Sequence, residues 1–328
     1  MKKRGKGIGA TFYGTGYGNG FPDVSKAVVE IDKDGKVSIY SCATEVGQGA
    51  KTIMMQIAGE VLGLGVNDIN FISEDTSLTQ DSGTAAASRQ TYNTGNAIKL
   101  AAESMKNKLL NLAKDYLKLN ATLGLEMEDH KIYLKMEPEK CVYFNQLVEK
   151  ENIKVSESFT AQSTQMDEET GQGSPYWPYT FNCYGVEVEV DTETGIVEVI
   201  KGVCAQDVGR AINPELVEGQ IDGGFAMGLG YAIMEDLNCV NGKIHNNKFS
   251  KYLIPTALDM IDLQKIIVED PESTAPFGAK GIGEPVMTAV TPAILNAVYD
   301  AIGVRFYEIP ITPDKVLKAI NDSLREGE

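Results

Sequence analysis

Apolar and polar residues alternate over two pairs of short segments, and each pair encloses a turn. Residues 27–31 and 36–40 flank Asp32-Lys33-Asp34-Gly35, while 185–190 and 196–200 flank Asp191-Thr192-Glu193-Thr194-Gly195. A period of two sends neighbouring side chains to opposite faces, and the Asp- and Gly-rich turns close each pair, so both read as β-hairpins. A loop with a Gly-Gln pair follows each hairpin, and then a helical period begins. Over 50–62, Ile53, Ile57 and Val61 lie beside Met54, Ala58 and Leu62 on one face, and Gly63 ends the run. The second helix, predicted over 215–234, carries glycines at 219, 223, 224, 228 and 230. Each glycine inside a helix costs about 1 kcal/mol against alanine. Something must therefore approach this helix closely, either a packed neighbour or a bound ligand.

A long helix is predicted over 96–117, with Ile98, Ala101, Ala102, Met105, Leu109, Leu112, Ala113 and Tyr116 facing the core. Strand-like residues follow over 124–149, and the polar stretch 156–174 reads as a linker. A last core helix over 292–302 places Ile294, Leu295, Val298 and Ile302 together. Hairpins and helices alternate here without a βαβ period. The expected fold is α+β, two related lobes of hairpin-loop-helix repeats divided as residues 1–155 and 156–328.

A chain of 328 residues, 43% hydrophobic and 23% charged, is long enough to bury a core in each lobe. Its formal charge of −16 argues against non-specific nucleic-acid binding, which depends on clustered Lys and Arg. An anionic ligand would have to be held by local amides and single cations. The five cysteines (42, 141, 183, 204 and 239) are scattered without a CxxC pair, so neither a disulfide framework nor an iron–sulfur or zinc site is expected. Met1-Lys2-Lys3-Arg4 is basic, but Gly5-Lys6-Gly7-Ile8-Gly9 stands where a signal peptide would be apolar, and the expectation is a cytoplasmic protein without a membrane span.

Four stretches carry candidate chemistry. Gly278-Ala279-Lys280-Gly281-Ile282-Gly283-Glu284-Pro285 combines glycines, which let backbone lie against a ligand, with one carboxylate set before a proline. Thr44-Glu45-Val46-Gly47-Gln48-Gly49 enters the first helix, where free amides and the helix dipole favour an anion. Ala85-Ala86-Ala87-Ser88-Arg89-Gln90 precedes the long helix and offers a hydroxyl, a guanidinium and an amide, either to a pyrophosphate or to a helix cap. Asp207-Val208-Gly209-Arg210-Ala211-Ile212-Asn213-Pro214 leads to Gly219-Gln220, whose amide can donate and accept at a ligand's edge. A second GQG, at 171–173, lies in the polar linker. The glycines of 14–20 lack Rossmann spacing and join no strand to a helix. The aromatic pair Phe12-Tyr13 stands just before them, suited to a planar substrate or to core packing.

In order and spacing these four stretches resemble the molybdenum hydroxylases, the xanthine dehydrogenase and aldehyde oxidoreductase family, over the C-terminal half of their molybdopterin-binding subunit. The resemblance implies that Gly47, Gln48, Gly49, the segment Ala85, Ala86, Ala87, Ser88, Arg89 and Gln90, together with Gln220, Lys280 and Gly281, bind a molybdenum–molybdopterin cytosine dinucleotide. It implies Ala87 near the metal, Phe12 and Tyr13 at the substrate, no direct metal ligand from the protein, and Glu284 as the base that activates the attacking oxygen. The separation of this half from the rest resembles the organisation of nicotinate dehydrogenases of anaerobic bacteria, with this chain as the medium subunit. The expected partners are then a large molybdopterin subunit, an iron–sulfur subunit with 2Fe-2S clusters and an FAD subunit. The expected reaction is hydroxylation of an N-heterocycle with water as oxygen source, nicotinate to 6-hydroxynicotinate. A xanthine, purine or aldehyde hydroxylase subunit is one alternative, and a non-catalytic molybdopterin-binding scaffold is another.

Overall fold

The structure, a computed structural model, describes residues 1–18 and 20–326; Asn19, within the glycine-rich 14–20 stretch, lies outside the described residues. The chain begins with β1 (Lys2–Gly14), then the hairpin β2 (Val24–Ile31) and β3 (Val37–Tyr40), helix α1 (Ala50–Leu62), β4 (Ile69–Ile72) and helix α2 (Gly95–Tyr116). A meander of β5 (Leu125–Glu128), β6 (Lys131–Leu134) and β7 (Glu137–Tyr143) runs into the short helix α3 (Phe144–Leu147) and strand β8 (Ile153–Thr160). The second half holds the hairpin β9 (Tyr179–Asp191) and β10 (Val197–Asp207), helix α4 (Pro214–Ile233), the small pair β11 (Cys239–Val240) and β12 (Lys243–Ile244), and β13 (Gln264–Val268). Helices α5 (Pro285–Thr288), α6 (Val290–Ile302) and α7 (Pro313–Glu326) close the chain.

Two four-stranded sheets share one topology, ordered β4-β3-β2-β8 and β1-β9-β10-β13. In each, a hairpin is flanked by one antiparallel strand and by one parallel strand reached through a helix: β4 after α1, and β13 after α4. The internal repeat is therefore present, and the mixed helix-and-sheet class is as expected. The lobe boundary is not. β1 precedes the first hairpin in sequence but pairs with β9 from Lys2 opposite Asp191 to Gly14 opposite Tyr179. β8 precedes the second hairpin but pairs with β2. The lobes exchange their leading strands, so a division at residue 155 assigns β1 and most of β8 to the wrong sheets.

Small residues make the exchange possible. On the inner face of β1, a Cβ added at Gly5, Gly7 or Gly9 would lie 2.2 Å from the carbonyl oxygen of Ala297, Ala293 or Ala289 respectively. Helix α6 therefore rests directly on the strand's backbone. By composition Pro285–Ile302 is apolar enough to cross a membrane, but half of that window is buried within the structure, with α6 packed on β1 and β9. Each sheet has its own core: α1 and α2 cover the first, α4 and α6 the second.

Candidate functional site

Between the two lobes opens a cavity of about 460 Å³, lined by the loop entering α1, by residues 85, 86 and 88–91, by the 208–213 loop, by one face of α4 and by the 279–284 segment. All four stretches singled out in the sequence thus meet at one place. The glycines of α4 divide by face. A Cβ at Gly224 or Gly228 would come within 2.6 Å of Val286 or 2.4 Å of Val290, so these glycines admit α5 and α6. A Cβ at Gly219 or Gly223 would meet nothing within 4 Å, and Gly223 lines the cavity. Packing and an open ligand-facing side both account for this helix, on opposite sides of it.

Glu284 stands at the cavity with its carboxylate held from two directions. The Ala87 amide donates to Oε1 at 3.1 Å, and the Tyr13 hydroxyl donates to Oε2. The Glu284 backbone amide donates to Ser88 Oγ at 2.9 Å. A Cβ on Gly281 would lie 1.7 Å from the Ser88 carbonyl oxygen, so this glycine lets the two segments cross. Ala87 and Ser88 both have positive φ (53° and 51°), a conformation costly for residues with a Cβ, and it is this turn that aims the Ala87 N–H at the carboxylate.

Several expected ligand contacts are already satisfied within the protein. The Arg89 side chain is fully buried: Nε donates to Asp23 Oδ1 at 2.6 Å, Nη1 to the Ser82 carbonyl at 2.6 Å, and Nη2 to the Val24 carbonyl at 3.1 Å and Ser25 Oγ at 3.0 Å. Its guanidinium ties the turn before α2 to β2 and faces away from any anion in the cavity. Lys280 Nζ donates to buried Asp207 at 2.8 Å, with Asp270 at 3.5 Å, and it clamps the Glu284 segment to the loop before α4. Backbone pairing of Lys280 N–H with the Val208 carbonyl reinforces the same clamp.

The entrance to α1 is likewise closed by the protein's own anion. Glu45 Oε1 accepts from the Gly47 and Gly49 amides and Oε2 from the Lys51 amide. Burial alone would raise the Glu45 carboxyl, but these three N–H groups and the Lys51 charge outweigh it and hold it below the ordinary carboxylate value. The free amides expected at the first GQG are therefore taken. Gln48 bonds the Thr44 carbonyl and Gln90 Oε1, both at 2.8 Å, and Gln90 returns a bond to Thr44; this amide clip holds the two loops together at the cavity wall. Gln220 lines the cavity and its amide has no partner among the described residues. The second GQG sits in the exposed linker, as expected.

Strand alternation separates the aromatic pair. Tyr13 reaches Glu284, whereas Phe12 points to the opposite face of β1, stacked on Tyr179 and Phe181 with ring centroids 4.4 and 5.1 Å away, and is 64% exposed. Only one of the two stands at the site. Sequence reasoning missed Asp23 and the clamping role of Asp207, because nothing local marks the partner of a buried cation. Among the described residues no group of three or more His, Cys, Asp or Glu side chains is placed to hold a metal ion.

Comparison with known proteins bears on what such a cavity serves. Residues 1–261 match the family described as the molybdopterin cofactor-binding domain. The chain is 31% identical over 321 residues to the xanthine dehydrogenase molybdenum-binding subunit of Escherichia coli O157:H7, covering 96% of this chain and 42% of that one. It is 31% identical over 322 residues to the aldehyde oxidoreductase of Megalodesulfovibrio gigas, covering 97% and 32%. The crystal structure of quinoline 2-oxidoreductase from Pseudomonas putida 86 superposes with a TM-score of 0.83 at 27% identity, over 98% of this chain and 42% of that one. The chain spans less than half the length of the curated relatives it matches.

Proposed function

The chain belongs to the molybdopterin cofactor-binding domain family, and from that premise we propose that it forms one part of a molybdenum hydroxylase that oxidises an N-heterocycle. The cavity suits such a cofactor: the open face of α4 at Gly219 and Gly223 leaves room for a planar ring system, and the unpartnered Gln220 amide can donate and accept at its edge. When bound, the molybdenum–pterin group supplies the two-electron redox chemistry and polarises the oxygen that comes from water. Gln220, with Gly281 and the Ala85–Ala86 backbone at the wall, would hold it here; Gln48 and Gln90 shape that wall instead of reaching inward.

The observation that carries the reading is the placement of Glu284. Its carboxylate accepts from Ala87 N–H and Tyr13 O–H and lines the cavity, an arrangement suited to receiving a proton there on a fixed oxygen. Lys280–Asp207 and Ser88 hold its backbone, so the base is positioned before any ligand arrives. A purely binding scaffold would have no use for a carboxylate so constrained.

Xanthine and quinoline, named in two of the relatives, are N-heterocycles, which supports a substrate of that class, with nicotinate as the specific proposal. The aldehyde oxidoreductase of M. gigas supports an aldehyde equally as an alternative. The E. coli relative is itself named as a subunit, which supports partner subunits for this chain as well, proposed as a large molybdopterin subunit with iron–sulfur and FAD subunits to accept electrons. A cytosine dinucleotide form of the cofactor and a cytoplasmic location complete the proposal.

Glu284→Gln tests it. The amide keeps the shape and loses the proton acceptor, so the assembled complex should retain molybdenum and pterin while turnover falls by about 10² to 10⁴. Nicotinate, xanthine, quinoline and an aldehyde, each offered to wild-type complex, identify the substrate. Full turnover by the metal-loaded Gln variant would remove Glu284 from the chemistry.

A further inference from the structure

Three cationic residues line the cavity: Arg89, Lys280 and Arg210. The first is neutralised by Asp23 and the second by Asp207, each inside the protein. Arg210 is different. Its guanidinium is solvent-exposed and makes no ion pair or hydrogen bond among the described residues. Its backbone is nonetheless fixed, because Arg210 N–H donates to the Gly278 carbonyl at 2.9 Å and the neighbouring Gly209 bridges Ala279. Nearby acids are engaged elsewhere: Glu269 accepts from the Ala211 amide at 2.8 Å, and Asp270 faces Lys280.

In a chain of formal charge −16, an unpaired arginine anchored at the rim of the central cavity is a local exception to the field around it. At two helix entrances on the cavity wall amides are already engaged: Glu45 takes those of Gly47, Gly49 and Lys51 at the start of α1, and Asn213 Oδ1 takes that of Leu216 in α4. We propose that Arg210 is the residue of this chain that binds the phosphate of the cofactor, forming the charge-assisted, two-pronged contact that a guanidinium makes with a phosphate ester. This rests on the molybdopterin-binding reading above and assigns to Arg210 the anion-binding role that the sequence pattern offered for Arg89.

The test uses the assembled complex of this chain with its completing partner, and reads molybdenum and pterin content during extensive dialysis, not turnover alone. Arg210→Ala should lose both about tenfold faster than wild type or more, with Arg210→Lys between them because a point charge replaces the fork. Raising salt should speed loss from wild type and have little effect on Arg210→Ala. The thermal midpoint of the cofactor-free Arg210→Ala complex should equal that of wild type, since the side chain has no protein partner to lose. Lys108→Ala, an exposed charge on α2 remote from the cavity, should behave as wild type. Nucleoside monophosphate released by acid from the wild-type cofactor would identify a dinucleotide's pyrophosphate as the partner, and its absence would identify the pterin's own phosphate; both support the assignment. Retention of cofactor by Arg210→Ala and Arg210→Glu at the wild-type rate and with the same salt dependence would overturn it. A folded, assembled wild-type complex that carries no molybdopterin would instead overturn the functional reading, and this assignment with it.

Discussion

Replacing Arg89 with methionine separates a structural role from a ligand-binding one. The guanidinium is buried with Asp23, whose own exposure is 4%, and it also satisfies the Ser82, Thr84 and Val24 carbonyls. Methionine fills much of the volume but leaves the Asp23 carboxylate without its cation, keeping only the Tyr17 amide at 3.0 Å, and leaves the Val24 and Thr84 carbonyls without this donor. Breaking a buried pair by removing one partner costs about 3 to 5 kcal/mol, a large fraction of the roughly 5 to 15 kcal/mol that holds most domains folded. The assay is urea unfolding followed by circular dichroism and by the fluorescence of Trp177, the chain's one tryptophan, whose backbone amide donates to the Thr15 carbonyl near the Asp23 turn. Arg89→Met should lower the midpoint by an amount equivalent to that cost. Arg89→Met with Asp23→Asn should lose less than the sum of the single variants, a coupling of about 1 to 3 kcal/mol. If Arg89→Met stays within about 0.5 kcal/mol of wild type and only cofactor retention falls, the buried-network account is wrong and Arg89 is a ligand contact after all.

Two further outcomes follow from the same structure. Gly7→Ala places a methyl 2.2 Å from the Ala293 carbonyl oxygen and the Ala297 amide nitrogen, so α6 must lift from β1; an overpacking cost of about 1 to 3 kcal/mol is expected in urea unfolding, with Lys6→Ala on the exposed face near neutral. Glu45 has a folded-state value below its ordinary 4.5, so its capping bonds contribute stability that is present above 4.5 and lost as pH falls through the lowered value. Hydrogen exchange at the Gly47, Gly49 and Lys51 amides should therefore stay slow from neutral pH to below 4.5 and then quicken, after allowance for intrinsic exchange; in Glu45→Gln the same amides should exchange quickly even at neutral pH. Equal protection in both proteins at neutral pH would refute the cap.

Elements set by neighbours in sequence were legible from the sequence. Helix α1 was read to the residue, because its apolar period and the closing Gly63, which is left-handed with φ 65°, are written within a few turns of chain. Both hairpins, the long helix α2 and the strand character of 124–149 were visible for the same reason. The gathering of glycine-flanked motifs at one cavity with Glu284 was implied by the family resemblance, and the glycines mark where backbone approaches closely. Folding alone settled the pairing of distant segments and the destination of each charge. Lys2 meets Glu189 across 187 residues, Arg89 meets Asp23 across 66, and Lys280 meets Asp207 across 73. An arginine aimed at a ligand and an arginine aimed at a buried aspartate have the same letters around them. Likewise Phe12 and Tyr13 are adjacent in sequence yet serve opposite faces of β1, because a strand turns each successive side chain over and only the sheet's neighbours decide which face is the site. Local periodicity records what a residue does within its own element; the partner of a charge, the face that becomes a cavity and the lobe that claims a strand are properties of contacts between elements.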